Sequence, residues 1–207
     1  MLERRRANVH VPTAPRSVRA TLSQWYPHAM TMRFCLWLPL LFTISVLAES
    51  AGGVRWTRPA GWSTEAARPM RAATYTVPPA AGDQPGAECV VYFFGEGQGG
   101  SVEANIERWT GQFRGADGKP PVPKVAKRSS HGLTIATIDV SGEYTGMGGP
   151  AARERTAMPG YRLLGAVVEG PRGNVFVKFT GPAKTIAANQ QKFDQLLASM
   201  QPEQAAR

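Results

Sequence analysis

Cysteine and histidine, the side chains that most often carry metal and nucleophilic chemistry, are nearly missing: the 207 residues hold two of the first and three of the second. Cys35 lies in an N-terminal apolar run expected to be cut away, so Cys89 stands alone and no internal disulfide forms. Within Glu88-Cys-Val-Val-Tyr-Phe-Phe94 it reads as a small core hydrophobe, because a reactive thiol needs a cationic, exposed setting. His131 is the one histidine beyond the leader. That excludes a two-histidine metal site, and any Ser-His-Asp triad would have to grow around a residue of the turn Ser129-Ser-His-Gly132. No serine stands in G-x-S-x-G. These absences predict no catalytic residue, no metal and no cofactor.

Long apolar runs are lacking too, with one exception. Residues 34–48 are uncharged and follow Arg33 directly, but they fall short of the roughly 20 residues a spanning helix needs. Val46 and Ala48 put small residues at the −3 and −1 positions that a signal peptidase reads. The expectation is a signal peptide over 32–48, cut after Ala48, export to a periplasm or out of the cell, and no membrane span after cleavage. Residues 1–31 are rich in Arg and Pro without hydrophobic periodicity, which reads as a disordered or non-translated extension with Met30 or Met32 as the start. Arg4, Arg5 and Arg6 stand too far from the apolar run for a twin-arginine signal, and no apolar run precedes Cys35 as a lipoprotein cysteine requires.

The leader also carries much of the positive charge. Residues 1–48 hold six Arg and one Glu, so the formal net charge falls from +9 to +4 once they are removed. The remaining charges are interspersed, which argues against a nucleic-acid partner. A chain of 159 residues suits a single domain over 49–207 that hides roughly 70% of its unfolded surface.

What is present is a strand-rich pattern. Trp56-Thr-Arg-Pro-Ala-Gly-Trp62 reads as an extended segment with a turn between two aromatic anchors, and residues 71–77 as a strand with Ala73, Tyr75 and Val77 on one face. Residues 80–86 form a loop, and 88–94, apolar on both faces, a central strand covered on each side. Helical spacing of Val102, Ile106, Trp109 and Phe113 predicts a helix over 101–113 capped by Ser101. Strands are expected near 122–128 and 133–141, then a long aperiodic connection over 142–160, then a hairpin of 161–169 with 174–180 across Gly170-Pro-Arg-Gly173. A helix over 185–200, capped by Thr185, closes the chain with Ile186, Phe193, Leu196, Leu197 and Met200 on its apolar face. The fold class is α+β: a mostly antiparallel sheet of five to seven strands sandwiched by helices, with Trp109 and Phe193 buried.

Two motifs invite function. Gly95-Glu-Gly-Gln-Gly-Gly100 fits the G-x-G-x-x-G of dinucleotide sites, yet the next strand candidate ends in Lys127 and Arg128 without an acidic residue for a ribose, and a hairpin topology is wrong for a doubly wound sheet. It reads as a flexible strand-to-helix turn. Glu103 and Glu107, one helical turn apart, read as solvated surface charges. The connection over 142–160 remains, where Tyr144, Met147, Arg153, Arg155 and Tyr161 mix aromatic, apolar and cationic contacts suited to binding a partner.

Trp56-x-x-Pro59-x-Gly61-Trp62, Met70-Arg-Ala-Ala-Thr-Tyr-Thr-Val-Pro78 and Gly99-Gly100-Ser-Val-Glu-Ala-Asn105-x-x-Arg108-Trp109-x-x-Gln112 resemble segments of bacterial exported proteins of unknown function. Those proteins are similar in fold to the PsbP-like superfamily, which includes an oxygen-evolving subunit of photosystem II and a Ran-binding nuclear transport factor. The resemblance spans Trp56 to Met200. It implies a PsbP-like α/β/α arrangement and a role in binding proteins or small ligands, with no shared catalytic residues, and no photosystem-specific motif is present. The function expected is therefore a non-catalytic binding module of the cell envelope, its partner an envelope protein or a small ligand. The alternative is a hydrolase or other enzyme with its site in the 142–160 loop.

Overall fold

Alternation along the central strands divides the structure into two cores. The computed structural model describes residues 48–146 and 157–204. The extension expected over 1–31 lies outside the described residues, as do all of the signal peptide expected over 32–48 but Ala48, and Met147, Arg153 and Arg155.

A small antiparallel sheet joins β1 (Ala48–Ala51), β2 (Val54–Thr57) and β11 (Gln201–Pro202) in the order β1-β2-β11. The main sheet is antiparallel throughout and has eight strands, more than the five to seven expected. Its order is β3 (Ser63–Thr64), β4 (Arg71–Val77), β5 (Ala87–Tyr92), β10 (Gly173–Pro182), β9 (Met158–Gly170), β8 (Leu133–Tyr144) and β6 (Phe113–Arg114), with β7 (Lys124–Ser130) paired to β8 beside β6. The architecture is α+β and mostly antiparallel.

In the first core Tyr75, Cys89, Val91, Leu164, Ala166, Val175, Val177 and Phe179 meet Ile186, Phe193, Leu196 and Leu197. The last four come from α2 (Ala183–Ala188) and α3 (Gln190–Ala198). In the second, Ile138, Val140, Leu163, Val167 and Phe176 meet Trp109, from α1 (Val102–Thr110), and Phe113. The sheet thus lies between helices, with Trp109 at 4% and Phe193 at 3% relative exposure.

Several boundaries differ from the sequence reading. Ser101 does cap α1, its hydroxyl accepting the Ala104 N–H at 3.1 Å, but the helix stops at Thr110 because Phe113 is drawn into β6 opposite Tyr144. The helix expected over 185–200 is two helices. Asn189 leaves helical geometry between them, its side-chain N–H donating to the Thr185 carbonyl at 3.0 Å while its side-chain oxygen accepts the Trp62 indole N–H at 3.2 Å. Thr185 is not the cap. It lies in the first turn of α2, where its N–H (2.9 Å) and hydroxyl (2.7 Å) both donate to the Asp83 carboxylate, so an acid from the 80–86 loop satisfies that turn. The connection over 142–160 is shorter than expected as well: β8 runs on to Tyr144 and β9 begins at Met158, because the long β8–β9 ladder continues through Tyr144 opposite Met158.

Side-chain hydrogen bonds tie the small sheet to the large one. The Trp56 indole donates to the Tyr75 hydroxyl at 2.8 Å, and that hydroxyl donates to the Glu49 carboxylate. On the same side of the main sheet, Arg162 grips Asp139 with two bonds of 2.8 and 2.7 Å and reaches Gln190 at 3.0 Å, joining β8 and β9 to the start of α3.

Gly165 fixes the seat of α1. A methyl group there would come within 2.6 Å of the Trp109 ring and 2.7 Å of Ile138. Gly165→Ala is expected to destabilise the protein by about 1–3 kcal/mol through overpacking. Urea unfolding checks it, and an unchanged midpoint would show that α1 shifts without cost.

Candidate functional site

The α1 helix is only nine residues long, and the sheet face that it shares is correspondingly open beside it. A cleft of about 630 Å³ lies there, lined by Arg71 of β4, Glu88 and Tyr92 of β5, Lys178 and Thr180 of β10, Met158 and Tyr161 of β9, and Tyr144 of β8. A second cavity of about 380 Å³ reaches toward α1 along Met70, Phe94, Trp109, Gln112 and Phe176. Arg71, Tyr92 and Lys178 line both, so they stand where the two spaces join.

Lys178 is the unusual residue. It interrupts the apolar run Val175-Phe-Val-Lys-Phe179 at a position paired with Val90 on one side and Gly165 on the other. Its ammonium donates to Gln112 Oε1 at 2.6 Å and to the Tyr144 hydroxyl at 3.2 Å, and lies 5.3 Å from the centre of the Tyr144 ring. No carboxylate lies within ion-pair distance of it among the described residues. Burial pushes its pKa from 10.5 down to about 8; the Glu88 carboxylate opposes that shift, while the positive charges of Arg108 and Arg71 add to it.

The surroundings hold that cation in place. Gln112 is buried, and its backbone carbonyl accepts from the Thr145 N–H at 2.8 Å and hydroxyl at 3.1 Å. Arg71 pairs with Glu88 at 3.0 Å and lies over the Tyr92 ring at 5.8 Å. Tyr92 stacks on Phe94 with ring centres 5.7 Å apart, and burial raises its phenol pKa against the pull of Arg71. Among the described residues lining the two spaces, Lys178, Arg71 and Arg108 stand against Glu88 and Glu65, a surplus of one positive charge. In the floor, Thr180 Oγ1 is buried without a hydrogen-bond partner among the described residues.

Of the residues singled out in the sequence, Tyr144 and Tyr161 come together, their rings stacked at 5.9 Å, but on strands β8 and β9 instead of in a loop. Met147, Arg153 and Arg155 lie outside the described residues. Sequence reasoning missed Lys178, Arg71, Glu88 and Gln112. A signal for Lys178 was available: it is a single cation inside an apolar strand.

The other motifs contribute structure. Buried Asn105 of α1 ties the glycine-rich turn down by donating to the Gly99 carbonyl at 2.9 Å and the Ser101 carbonyl at 2.8 Å. His131 is an exposed residue of the β7–β8 turn, its Nδ1 3.1 Å from Ser130 Oγ and 3.2 Å from the Met200 carbonyl oxygen. Cys89 is a buried free thiol whose pKa burial pushes up. Among the described residues no cluster of three or more His, Cys, Asp or Glu could hold a metal ion, and no helix is long and apolar enough to cross a membrane.

The lowered pKa has a consequence for stability. The unfolded chain takes up the Lys178 proton near 10.5 and the folded chain near 8, so the unfolded state binds more protons between these values and stability rises with pH across that window. Lys178→Met is expected to be more stable than the parent at pH 7 by about 1–3 kcal/mol, a margin that shrinks between pH 8 and 10.5. Urea midpoints over that range check it, and parallel pH profiles would acquit Lys178.

No family model matches the chain, and no curated protein matches it. Among solved structures, the chain is similar to a Pseudomonas aeruginosa protein of unknown function, which aligns over 77% of this chain and 96% of its own at a TM-score of 0.41 and 13% sequence identity.

Proposed function

We propose that this protein is an exported, non-catalytic module of the cell envelope, PsbP-like in fold, that binds a small ligand in the cleft beside α1. The observation that carries the binding reading is the cleft itself. Its volume of about 630 Å³ falls in the range of small-molecule sites, and it joins aromatic walls from Tyr92, Tyr144 and Tyr161 to a few convergent polar groups. The two cavities meeting at Arg71, Tyr92 and Lys178 offer an apolar end and a polar end to one ligand. The enzyme alternative, whose 142–160 loop falls largely outside the described residues, draws no support from His131, which meets a serine and a backbone carbonyl on an exposed turn. Export rests on the apolar run over 34–48 and its small residues. A cut after Ala48 would leave Glu49, the acceptor of the Tyr75 hydroxyl, in the mature chain.

Two measurements test this. Native mass spectrometry of the protein isolated from its own envelope fraction should show a chain that begins near Glu49 and carries a non-covalent small-molecule adduct. A chain retaining residues 34–48 in membranes would defeat the export reading. In the second, the neutral dye Nile red should bind the purified protein at one site, and Tyr92→Ala should weaken it by about fivefold, the worth of one aromatic contact. Absence of binding, or indifference to that substitution, would defeat the cleft reading.

A further inference from the structure

We propose that the ligand is an amphiphilic carboxylate, its anionic head seated at Lys178 beside Arg71 and its apolar body lying toward α1 along Phe94, Trp109 and Met70. This rests on the binding reading above and adds the chemical class. Three observations converge on it.

The first is the state of Lys178. A cation set into a sheet face normally meets a carboxylate, but among the described residues its acceptors are the neutral oxygens of Gln112 and Tyr144. An arriving anion supplies the missing counter-charge, and a charge-assisted hydrogen bond in this half-dry setting is worth more than a neutral one.

The second is the balance of charge around it. From β4 comes Arg71, from α1 Arg108, and from β5 Glu88. Glu88 is engaged by Arg71 at 3.0 Å, and Glu65, the other acid lining the cleft among the described residues, is engaged by Arg68 at 2.6 Å. The site therefore keeps a positive surplus that a neutral or cationic ligand leaves unsatisfied.

The third is the division of the space. The cavity toward α1 is walled by Met70, Phe94, Trp109 and Phe176, and Met70 stands 69% exposed at its lip. An alkyl or aromatic tail covers those surfaces, whereas a bare inorganic anion leaves them wet. Head and tail sites adjoin because Arg71, Tyr92 and Lys178 belong to both cavities.

The test uses the full purified protein and displacement of Nile red. Octanoate is expected to compete at least about tenfold better than octanol, with octylamine weakest, and Lys178→Met is expected to bring octanoate down to the level of octanol, each measured against that variant's own affinity for Nile red. Arg71→Met, a second variant, should give a smaller loss in the same direction. The octanoate advantage should also fade as pH rises past about 8, where Lys178 loses its proton, and should not change with pH in Lys178→Met. Equal competition by octanoate and octanol, with dye binding intact, overturns the carboxylate and leaves the cleft reading standing. Inorganic phosphate competing as well as octanoate overturns the amphiphile. If the dye does not bind at all, both readings fall together. The octanoate-to-octanol ratio in the unsubstituted protein decides the matter even if a variant fails to fold.

Discussion

The meeting of the Trp109 indole with the bare backbone of Gly165 decides where α1 lies, and with it how much of the sheet stays open. A side chain at residue 165 would lift the helix off the sheet, because the space a methyl group needs is already filled by Trp109 and Ile138. With the indole seated there, a helix of nine residues covers one part of the face and leaves the part formed by β4, β5 and β10 uncovered. Lys178 is the residue directly across from Gly165 in the β9–β10 ladder. The edge of the helix and the buried amine are thus set by one pair of backbone positions, and Gln112, just past the end of α1, is carried to within 2.6 Å of the ammonium.

A lysine in that place is a poor choice for stability. Its neighbours along the same strand, Val175, Phe176, Val177 and Phe179, are almost wholly buried, and a hydrophobe at residue 178 would complete the pattern without the cost of stripping water from a charge. Gln112 and the Tyr144 ring offset part of that cost, but neither carries a negative charge. Groups that disobey the local packing rule while being held in place by specific neighbours are the places where a fold gives up stability for binding or chemistry. Thr180, two residues on and facing the same cleft, points the same way with a buried hydroxyl that lacks a partner among the described residues.

Much of the frame was legible in the chain. The strand over Arg71–Val77 matches in full, the hairpin across Pro171 and Arg172 forms where the turn residues place it, and Ser101 caps its helix, because each is dictated by local chemistry. The errors lie where distant groups intervene. Asp83 takes over the first turn of α2 from a loop about a hundred residues away, and the Trp62 indole helps hold the break at Asn189. Periodicity alone contains neither contact. The candidate site was half legible for a related reason. Tyr144 and Tyr161 stood out by composition, but the partners that give them meaning, Arg71, Lys178 and Gln112, come from three other segments that only the sheet order brings alongside.

Strand β10 records how the two halves of the structure share the work. Its odd-numbered residues Val175, Val177 and Phe179 all enter the core beneath α2 and α3, which holds the fold whatever happens on the other face. Its even-numbered residues change character along the strand, from Phe176 in the core under α1, through Lys178 at the junction of the cavities, to Thr180 beside Glu88. That gradient runs from apolar to charged to neutral polar over two steps of a pleat, about 7 Å each. On the proposed reading, a ligand that matches this gradient lies along β10 with its apolar end toward α1, so the strand would set the direction of binding as well as the place.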